Sequence, residues 1–270
     1  MSEIDVFGLT HTGRVRKSNA DHFLLATFHR AMRVHASSLP GENFTVFSPD
    51  SRGFIALVAD GVGGLEHAED GSAQATNAAA RYLVEMSEIS LQSEPEREAE
   101  FVERLRTFAT QAHQRLLTFA EQVGSVAATT MTMMIVVWPR VFVVHAGDSR
   151  CYRLRDGRLE QITTDQTMAQ AMIDAGAMSR EAAEASNLKH ILISALGSSQ
   201  IDIQVTTSDI RRSDRFVLCT DGLTRYVSDA EIHDKVASDI GSENVCRALL
   251  ELALDRGGSD NITVIATRIP

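Results

Sequence analysis

The chain has 270 residues, 44% of them hydrophobic, which suffices for a sizeable core and is most simply one domain. Its formal net charge of −10 argues against a nucleic-acid-binding protein, because no basic stripe offsets the phosphate backbone. No apolar stretch approaches the ~18 residues of a membrane span, and the acidic N-terminus does not resemble a secretion signal. The three cysteines are far apart in sequence, so we expect free thiols and a soluble, cytoplasmic protein.

The first part of the chain is predicted to contain two strands joined by a basic loop. Residues 3–9 and 23–28 are typical of strands. The charged residues of the loop between them are Arg14, Arg16, Lys17 and Asp21. By itself this loop fits a solvated turn as well as a guanidinium clamp for a phosphate. Residues 29–52 suggest a hairpin with an enlarged loop that tolerates insertion.

Three apolar strands have an aspartate at one end. Residues 54–59 are a continuous apolar run that leads into Asp60, and the glycines that follow let the backbone approach a ligand closely. Residues 216–220 lead into Asp221 in the same way, and Asp260 precedes a third apolar run. A fourth carboxylate, Asp148, follows the strand predicted for residues 140–146. Aspartates at the ends of buried strands are typical of a rigid scaffold that gathers oxygen ligands around hard cations.

The other elements follow from periodicity and turn signals. Small residues at helical spacing predict a helix over 68–86, and an apolar stripe predicts an amphipathic helix over 94–123. Two hairpins are predicted, one around Trp138-Pro139 and one around Asp156-Gly157. The remaining predictions are strands at 129–137, 140–146, 151–154, 158–162, 201–207 and 215–220, helices near 168–175, 179–185, 228 and 243–254, and a last strand after Asp260.

Residues 164–197 differ from their surroundings because they are polar and only partly helical, so we interpret them as a subdomain laid over the sheet. Elsewhere hairpins outnumber strand-helix-strand alternation. This order favours an α+β fold with antiparallel sheets over a doubly wound parallel sheet.

Oxygen-only ligands suit Mg²⁺, Mn²⁺ or Ca²⁺ better than zinc, and the spacing of a calcium-binding loop is absent. Each Asp-Gly alone is better explained as a turn or a helix cap. Several of them at the ends of apolar strands favour a centre of two divalent ions that activates a water for attack on phosphorus. No Ser-His-Asp or cysteine-based motif offers another nucleophile.

Five motifs, in order along the chain, resemble those of the PPM family, the type-2C metal-dependent protein Ser/Thr phosphatases, and most of all its compact bacterial members. They are Arg16-Lys17-Ser18-Asn19-Ala20-Asp21, Asp60-Gly61-Val62-Gly63-Gly64, Gly147-Asp148-Ser149-Arg150, Thr220-Asp221-Gly222-Leu223 and Ser259-Asp260-Asn261-Ile262-Thr263. The resemblance spans residues 5–267. It implies a four-layer α-β-β-α sandwich of two antiparallel sheets flanked by helices, in a single domain over 1–270, with residues 164–197 as a helical flap.

The resemblance also implies a binuclear Mn²⁺ or Mg²⁺ centre and the role of each site residue. Asp60 would bridge both ions, and the Gly61 carbonyl would bind one of them. Asp221 and Asp260 would bind the other, while Asp21 would act through water. The remaining roles would fall to Asp148, at a third and weaker metal site, and to Arg16, which would hold the substrate phosphate.

Four features depart from the family pattern. Ala20 stands where an acidic residue is frequent, Val62 where many eukaryotic members have a general-acid histidine, and Gln166 where the flap often has a histidine. The run Ala127-Ala128-Thr129-Thr130 lacks the usual small glycine turn. None of these changes removes a direct metal ligand, so we expect activity to survive.

The resemblance implies a monomeric phosphatase that removes phosphate from Ser or Thr of proteins and opposes a bacterial Ser/Thr kinase. One alternative is a phosphatase for the phosphoserine of an anti-sigma-factor antagonist. A second, from another functional class, is a metal-binding pseudo-phosphatase that docks a partner through the flap.

Overall fold

The computed structural model describes residues 4–28, 32–38, 53–62, 67–86 and 95–270. The described strands are β1 (Asp5–His11), β2 (Asp21–Phe28), β3 (Met32–Ser37), β4 (Gly53–Asp60), β5 (Met131–Val137), β6 (Arg140–Ala146), β7 (Arg150–Arg155), β8 (Arg158–Gln161), β9 (Gln204–Asp209), β10 (Arg215–Cys219) and β11 (Ile262–Arg268). They form a five-stranded sheet in the order β1-β11-β10-β7-β8 and a six-stranded sheet in the order β3-β2-β4-β5-β6-β9. Their neighbouring strands are antiparallel, as predicted.

The helices of the described ranges are α1 (Ala68–Met86), α2 (Pro95–Val123), α3 (Met168–Asp174), α4 (Arg180–Glu184), α5 (Asp221–Thr224), α6 (Asp229–Ala237) and α7 (Ser242–Asp255). A single 3-10 turn covers Asn187–His190. Ser228 caps α6 through a reciprocal capping box with Glu231, which explains why that helix begins where its sequence predicts. None of these helices is both long and apolar enough to cross a bilayer.

Side chains of opposite parity on β4 enter different layers of the core. Ile55 and Leu57 pack with the helical pair α1 and α2, whereas Phe54 and Val58 pack between the two sheets. On the far side, α6 and α7 cover the outer face of the five-stranded sheet, where Val264 of β11 is fully buried. The order is therefore helices, sheet, sheet, helices, and the predicted four-layer sandwich is confirmed. A strand buried on both faces explains the unbroken apolar run at 54–59.

Most element bounds agree with the sequence predictions to within a few residues. The turn at Asp156-Gly157 connects β7 and β8, and both residues have positive φ, 51° and 75°, as a tight hairpin turn requires. β9 begins at Gln204, not at the predicted position 201, and the short helix α5 was not predicted. The start of the 29–52 hairpin is present as β3, which pairs with β2, whereas most of that loop lies outside the described residues, as do Gly63 and Gly64.

The predicted flap comprises α3, α4 and the 3-10 turn, and backbone hydrogen bonds attach both of its ends to the sandwich. Leu196 and Thr129 exchange two backbone hydrogen bonds of 2.9 and 3.0 Å. Gln166 is buried, and its side chain accepts from the Gly147 N–H at 2.8 Å and donates to the Asp202 carbonyl at 2.9 Å. The glutamine at this position therefore fastens the flap next to Asp148.

Candidate metal centre

The aspartates that the sequence singles out lie at one end of the two sheets. The register of β2 and β4 places Asp21 directly opposite Asp60. Asp221 is the first residue of α5, immediately after β10, and Asp260 lies just before β11, the neighbour of β10. Asp148 lies where the chain passes from β6 in one sheet to β7 in the other. Strand pairing therefore gathers residues that are far apart in the chain.

Two glycines allow the backbone segments at this end to approach one another. A Cβ atom on Gly61 would collide with the Ala68 carbonyl and lie 2.9 Å from the Ala20 carbonyl. A Cβ atom on Gly222 would collide with the carbonyl of Asn261. The second contact places the turn that carries Asp221 directly against the segment that carries Asp260. Glycine is therefore required at both positions, because any side chain would collide with a neighbouring backbone segment.

The basic loop before β2 is held by the side chain of Asn261. Its amide nitrogen donates to the carbonyls of Thr12 and Ser18, both at 2.9 Å, and its amide oxygen accepts from the Ala20 N–H at 2.8 Å. Arg16 lies on this loop, so the residue that follows Asp260 positions the predicted phosphate-binding arginine.

Three of the carboxylates are desolvated, and no cationic side chain of the described residues is bonded to them. Burial, opposed by hydrogen bonds from Thr263 and Thr220, raises the pKa of Asp21 to about 7. Burial, and then the negative charges of Asp21 and other aspartates, hold the pKa of Asp60 well above its usual range. Burial and the nearby Asp221 likewise raise the pKa of Asp148 far above the ordinary value. Burial is the largest cause of all three raised pKa values, and repulsion from neighbouring aspartates adds to it.

The other two carboxylates are paired with arginines. Arg16 contacts Asp260 in a bidentate pair, with Nε to Oδ1 at 2.7 Å and Nη2 to Oδ2 at 2.9 Å. Arg225 donates to Asp221, and its Nη1 lies 3.3 Å from Asp260 Oδ2. The side chain of Arg16 remains 41% exposed. The two arginines therefore neutralise the outer part of the acidic cluster.

The donor set fits hard divalent ions, although its carboxylates do not converge into a complete ligand shell. Within the described ranges, no three His, Cys, Asp or Glu side chains meet at metal-binding spacing. Asp221 and Asp260 point to their arginines, and a shared ion would require them to turn. The observation that favours an ion is Asp21 Oδ1, a buried oxygen with no hydrogen-bond partner in the described part of the chain. Such an oxygen is costly unless a cation, a water or a proton satisfies it.

Several contributors to the site were missed by sequence reasoning. Arg225 lies four residues after Asp221, the helical spacing at which opposite charges pair, so this signal was present. Thr220 and Thr263 were read only as parts of strands and motifs, yet both hydroxyls donate to Asp21. No local pattern in the sequence predicts those two hydrogen bonds.

Comparison with known proteins agrees with the geometry. The profile of the family described as protein phosphatase 2C matches residues 36–239. The Ser/Thr protein phosphatase PstP of Mycobacterium tuberculosis is 38% identical over 141 residues, which cover 52% of this chain and 27% of PstP. This chain therefore spans only about a quarter of that relative. The Ser/Thr phosphatase Stp of Listeria welshimeri is 28% identical over 228 residues, which cover 83% of this chain and 88% of Stp.

Solved structures show the same fold. The crystal structure of the M. tuberculosis phosphatase PstP superposes with a TM-score of 0.77 at 26% identity and covers 98% of both chains. A structure of the PstP catalytic domain in complex with two manganese ions superposes with a TM-score of 0.72 at 25% identity and covers 99% of both chains. The sandwich, and not only its motifs, is therefore shared.

Proposed function

The chain belongs to the protein phosphatase 2C family, and we propose that it is a metal-dependent phosphatase for phosphoserine and phosphothreonine in proteins. The observation that carries this proposal is the placement of Asp21, Asp60, Asp148, Asp221 and Asp260 at the same end of the sandwich, beside Arg16. The two manganese ions in the PstP catalytic domain support a metal centre here.

The residues that would hold two divalent ions, Mn²⁺ or Mg²⁺, are those implied by the family motifs. Asp60 would bind both ions, and the Gly61 carbonyl would bind one of them. Asp221 and Asp260 would bind the other ion, and Asp21 would act through water. Asp148 would serve a third, weaker site. When bound, such ions supply an activated water and neutralise charge on the phosphoryl oxygens.

Arg16 is suited to hold the substrate phosphate. Its guanidinium already binds one planar oxyanion, Asp260, through two parallel hydrogen bonds, and it remains partly exposed. A phosphate offers the same pair of oxygens. Arg225 Nη1 lies 3.3 Å from the same Asp260 oxygen, Oδ2, that accepts from Arg16, so a second positive charge is close by. Arg16 would therefore orient the phosphoryl group while the carboxylates remain at the metal.

No side chain at position 62 can protonate the leaving alkoxide, because Val62 is apolar. The backbone N–H of Val62 donates to the Ala128 carbonyl at 2.9 Å, so it is also engaged. The proton would therefore come from water. This chemistry allows a serine or threonine alkoxide as the leaving group without a dedicated acid.

The test is turnover of a phosphothreonine peptide with Mn²⁺ by wild type and by Asp60→Asn. We expect turnover by wild type and a loss of at least about 10²-fold in kcat in the variant, since the bridging carboxylate is gone. Glu243→Gln, on the surface of α7, is the matched control and should retain full activity. An inactive wild type, or a fully active Asp60→Asn, would overturn the proposal.

A metal-binding pseudo-phosphatase is the second candidate, and the pairing of Asp221 and Asp260 with arginines is the observation that favours it. Calorimetric titration with Mn²⁺ beside the activity assay separates the two candidates. A docking module would bind Mn²⁺ but would not hydrolyse the phosphothreonine peptide.

The physiological setting follows from the substrate class. We propose that the protein acts as a monomer, opposes a Ser/Thr kinase and removes phosphate from that kinase's protein targets. The phosphoserine of an anti-sigma-factor antagonist is a narrower alternative. A phosphoproteome compared with and without the protein should show phosphothreonine and phosphoserine sites that rise in its absence, either broadly or on one antagonist alone.

A further inference from the structure

Asp21 is held by two buried threonine hydroxyls that come from the opposite sheet. Thr220 Oγ1 donates to Asp21 Oδ2 at 2.8 Å, and Thr263 Oγ1 donates to the same oxygen at 2.7 Å. Both threonines are fully buried, and Asp21 is 2% exposed. Its other oxygen, Oδ1, is buried and has no hydrogen-bond partner in the described ranges. The two oxygens of one carboxylate thus have opposite environments.

The surrounding hydrogen bonds determine the direction in which each hydroxyl donates. Asn19 accepts from the Asp21 N–H through Oδ1, so its amide nitrogen is the atom that donates to Thr10 Oγ1, at 2.8 Å. The Thr10 hydroxyl is then free to donate to Thr263 Oγ1, also at 2.8 Å. Thr220 Oγ1 accepts from the Thr263 N–H at 3.0 Å. Each of the two oxygens therefore receives one hydrogen bond and gives its own hydrogen to Asp21 Oδ2.

This arrangement fixes the orientation of the Asp21 carboxylate. Any partial rotation that moved the accepting oxygen away from Thr220 and Thr263 would leave two buried hydroxyls without an acceptor, and an unsatisfied buried donor costs about 1–3 kcal/mol. Oδ1, in contrast, loses nothing when it gains a partner. Oriented carboxylates of this kind are what ligands of a metal, or of its bound water, require.

We propose that Thr220 and Thr263 are positioning residues for the metal centre, because they hold Asp21 by Oδ2 and leave Oδ1 as the oxygen that serves the ion or its bound water. This inference rests on the proposed function, since it assumes that the acidic cluster takes a divalent ion. It adds two residues that act through Asp21 and do not themselves touch the ion or the substrate.

The experiment is calorimetric titration of the metal-free chain with Mn²⁺ for wild type, Thr263→Val and Thr220→Val. Valine keeps the shape and the strand preference of threonine and replaces the hydroxyl with a methyl group, which cannot donate. We expect Mn²⁺ to bind about 10–100-fold more weakly to each valine variant, as is usual when a group that orients a ligand is lost. Thr263→Ser, which restores the donor, should return the affinity to within about threefold of wild type.

Thr267→Val is the matched control. Thr267 lies on the same strand, β11, is 2% exposed, and its hydroxyl has no partner among the described residues. Its removal should leave the Mn²⁺ affinity unchanged and the Tm equal or higher. If Thr263→Val fails to fold by circular dichroism, Thr220→Val, which removes the other donor to the same oxygen, decides the question.

Wild-type Mn²⁺ affinity in Thr263→Val and Thr220→Val, together with a lowered Tm, would show that the hydroxyls only join the two sheets, and the proposal would be wrong. The proposed function fails in a different way. A wild type that binds Mn²⁺ but does not dephosphorylate the peptide refutes the phosphatase while leaving the valine series meaningful. A wild type that binds no Mn²⁺ overturns both.

Discussion

The acidic end of the sandwich has two halves, and the same residue type is treated differently in each. On the six-stranded sheet, Asp21 and Asp60 face each other, no described cationic side chain is bonded to either, and burial raises the pKa of both. On the five-stranded sheet, Asp221 and Asp260 are bound by Arg225 and Arg16. One half is therefore electrostatically unsatisfied, and the other is already neutralised.

The difference indicates how the site can bind ions and phosphate in one place. The unsatisfied half provides the driving force for a divalent ion, because the ion relieves repulsion between buried carboxylates. In the neutralised half, two guanidinium groups lie next to the position that a substrate phosphate would occupy. An ion bound by Asp221 and Asp260 would free those arginines for the substrate phosphate. On this proposal, the carboxylates of the second half would change from arginine partners to the ion.

The largest expected effect comes from the pH dependence of Asp21. Its pKa of about 7 lies above the ordinary carboxyl value, so the folded state binds the proton more tightly than the unfolded state does between about pH 4 and pH 7. Its contribution to the free energy of unfolding therefore falls as pH rises through that window. At pH 8, the free energy of unfolding of Asp21→Asn should therefore exceed that of the metal-free wild type by an amount on the order of 3 kcal/mol.

Urea unfolding in EDTA at several pH values, for both proteins, gives this difference directly. The buried histidines His22 and His145 have lowered pKa values because of burial, and they change stability in the opposite sense, but they are common to both proteins and cancel. If the difference in the free energy of unfolding between the two proteins does not change from pH 4 to pH 8, Asp21 is not electrostatically unsatisfied and the contrast between the two halves is wrong.

A smaller effect, opposite in sign between the halves, is expected for Asp60→Asn and Asp260→Asn at pH 7.5 in EDTA. Asp60→Asn removes repulsion and should raise the free energy of unfolding by about 1–2 kcal/mol. Asp260→Asn breaks a bidentate pair with a partly exposed arginine and should lower it by about 1 kcal/mol. Thermal and urea unfolding measure both changes. Equal signs would mean that the two halves do not differ as described.

The smallest effect is expected for Arg225→Ala, which frees Asp221 from its arginine. Because that pair must break before an ion can bind, we expect Mn²⁺ to bind about 2–5-fold more tightly in calorimetry. Arg247→Ala is the matched control, since Arg247 pairs with Glu243 at the same helical spacing on α7 and should have no effect. Weaker Mn²⁺ binding by Arg225→Ala would show instead that the arginine orients Asp221 for the ion.

Much of the fold could be predicted because local rules and tertiary packing agree. The helix at Ala68–Met86 and the strand at Arg140–Ala146 have the predicted bounds, since their periodicity matches the layers that they enter. α5 was missed because a four-residue helix has no periodicity to detect. The predicted start of β9 is too early because Ile201 and Ile203, which precede the strand, are partly buried against the core.

The sequence by itself determined which residues are candidates for the metal site, because a carboxylate at the end of an apolar strand is a local pattern. Only the tertiary structure decided what each carboxylate contacts. Thr263 reaches Asp21 across 242 positions of the chain, and Arg16 reaches Asp260 across 244. Contacts at that separation depend on strand order and register, which pair residues by the packing of whole sheets and not by their neighbours in the chain.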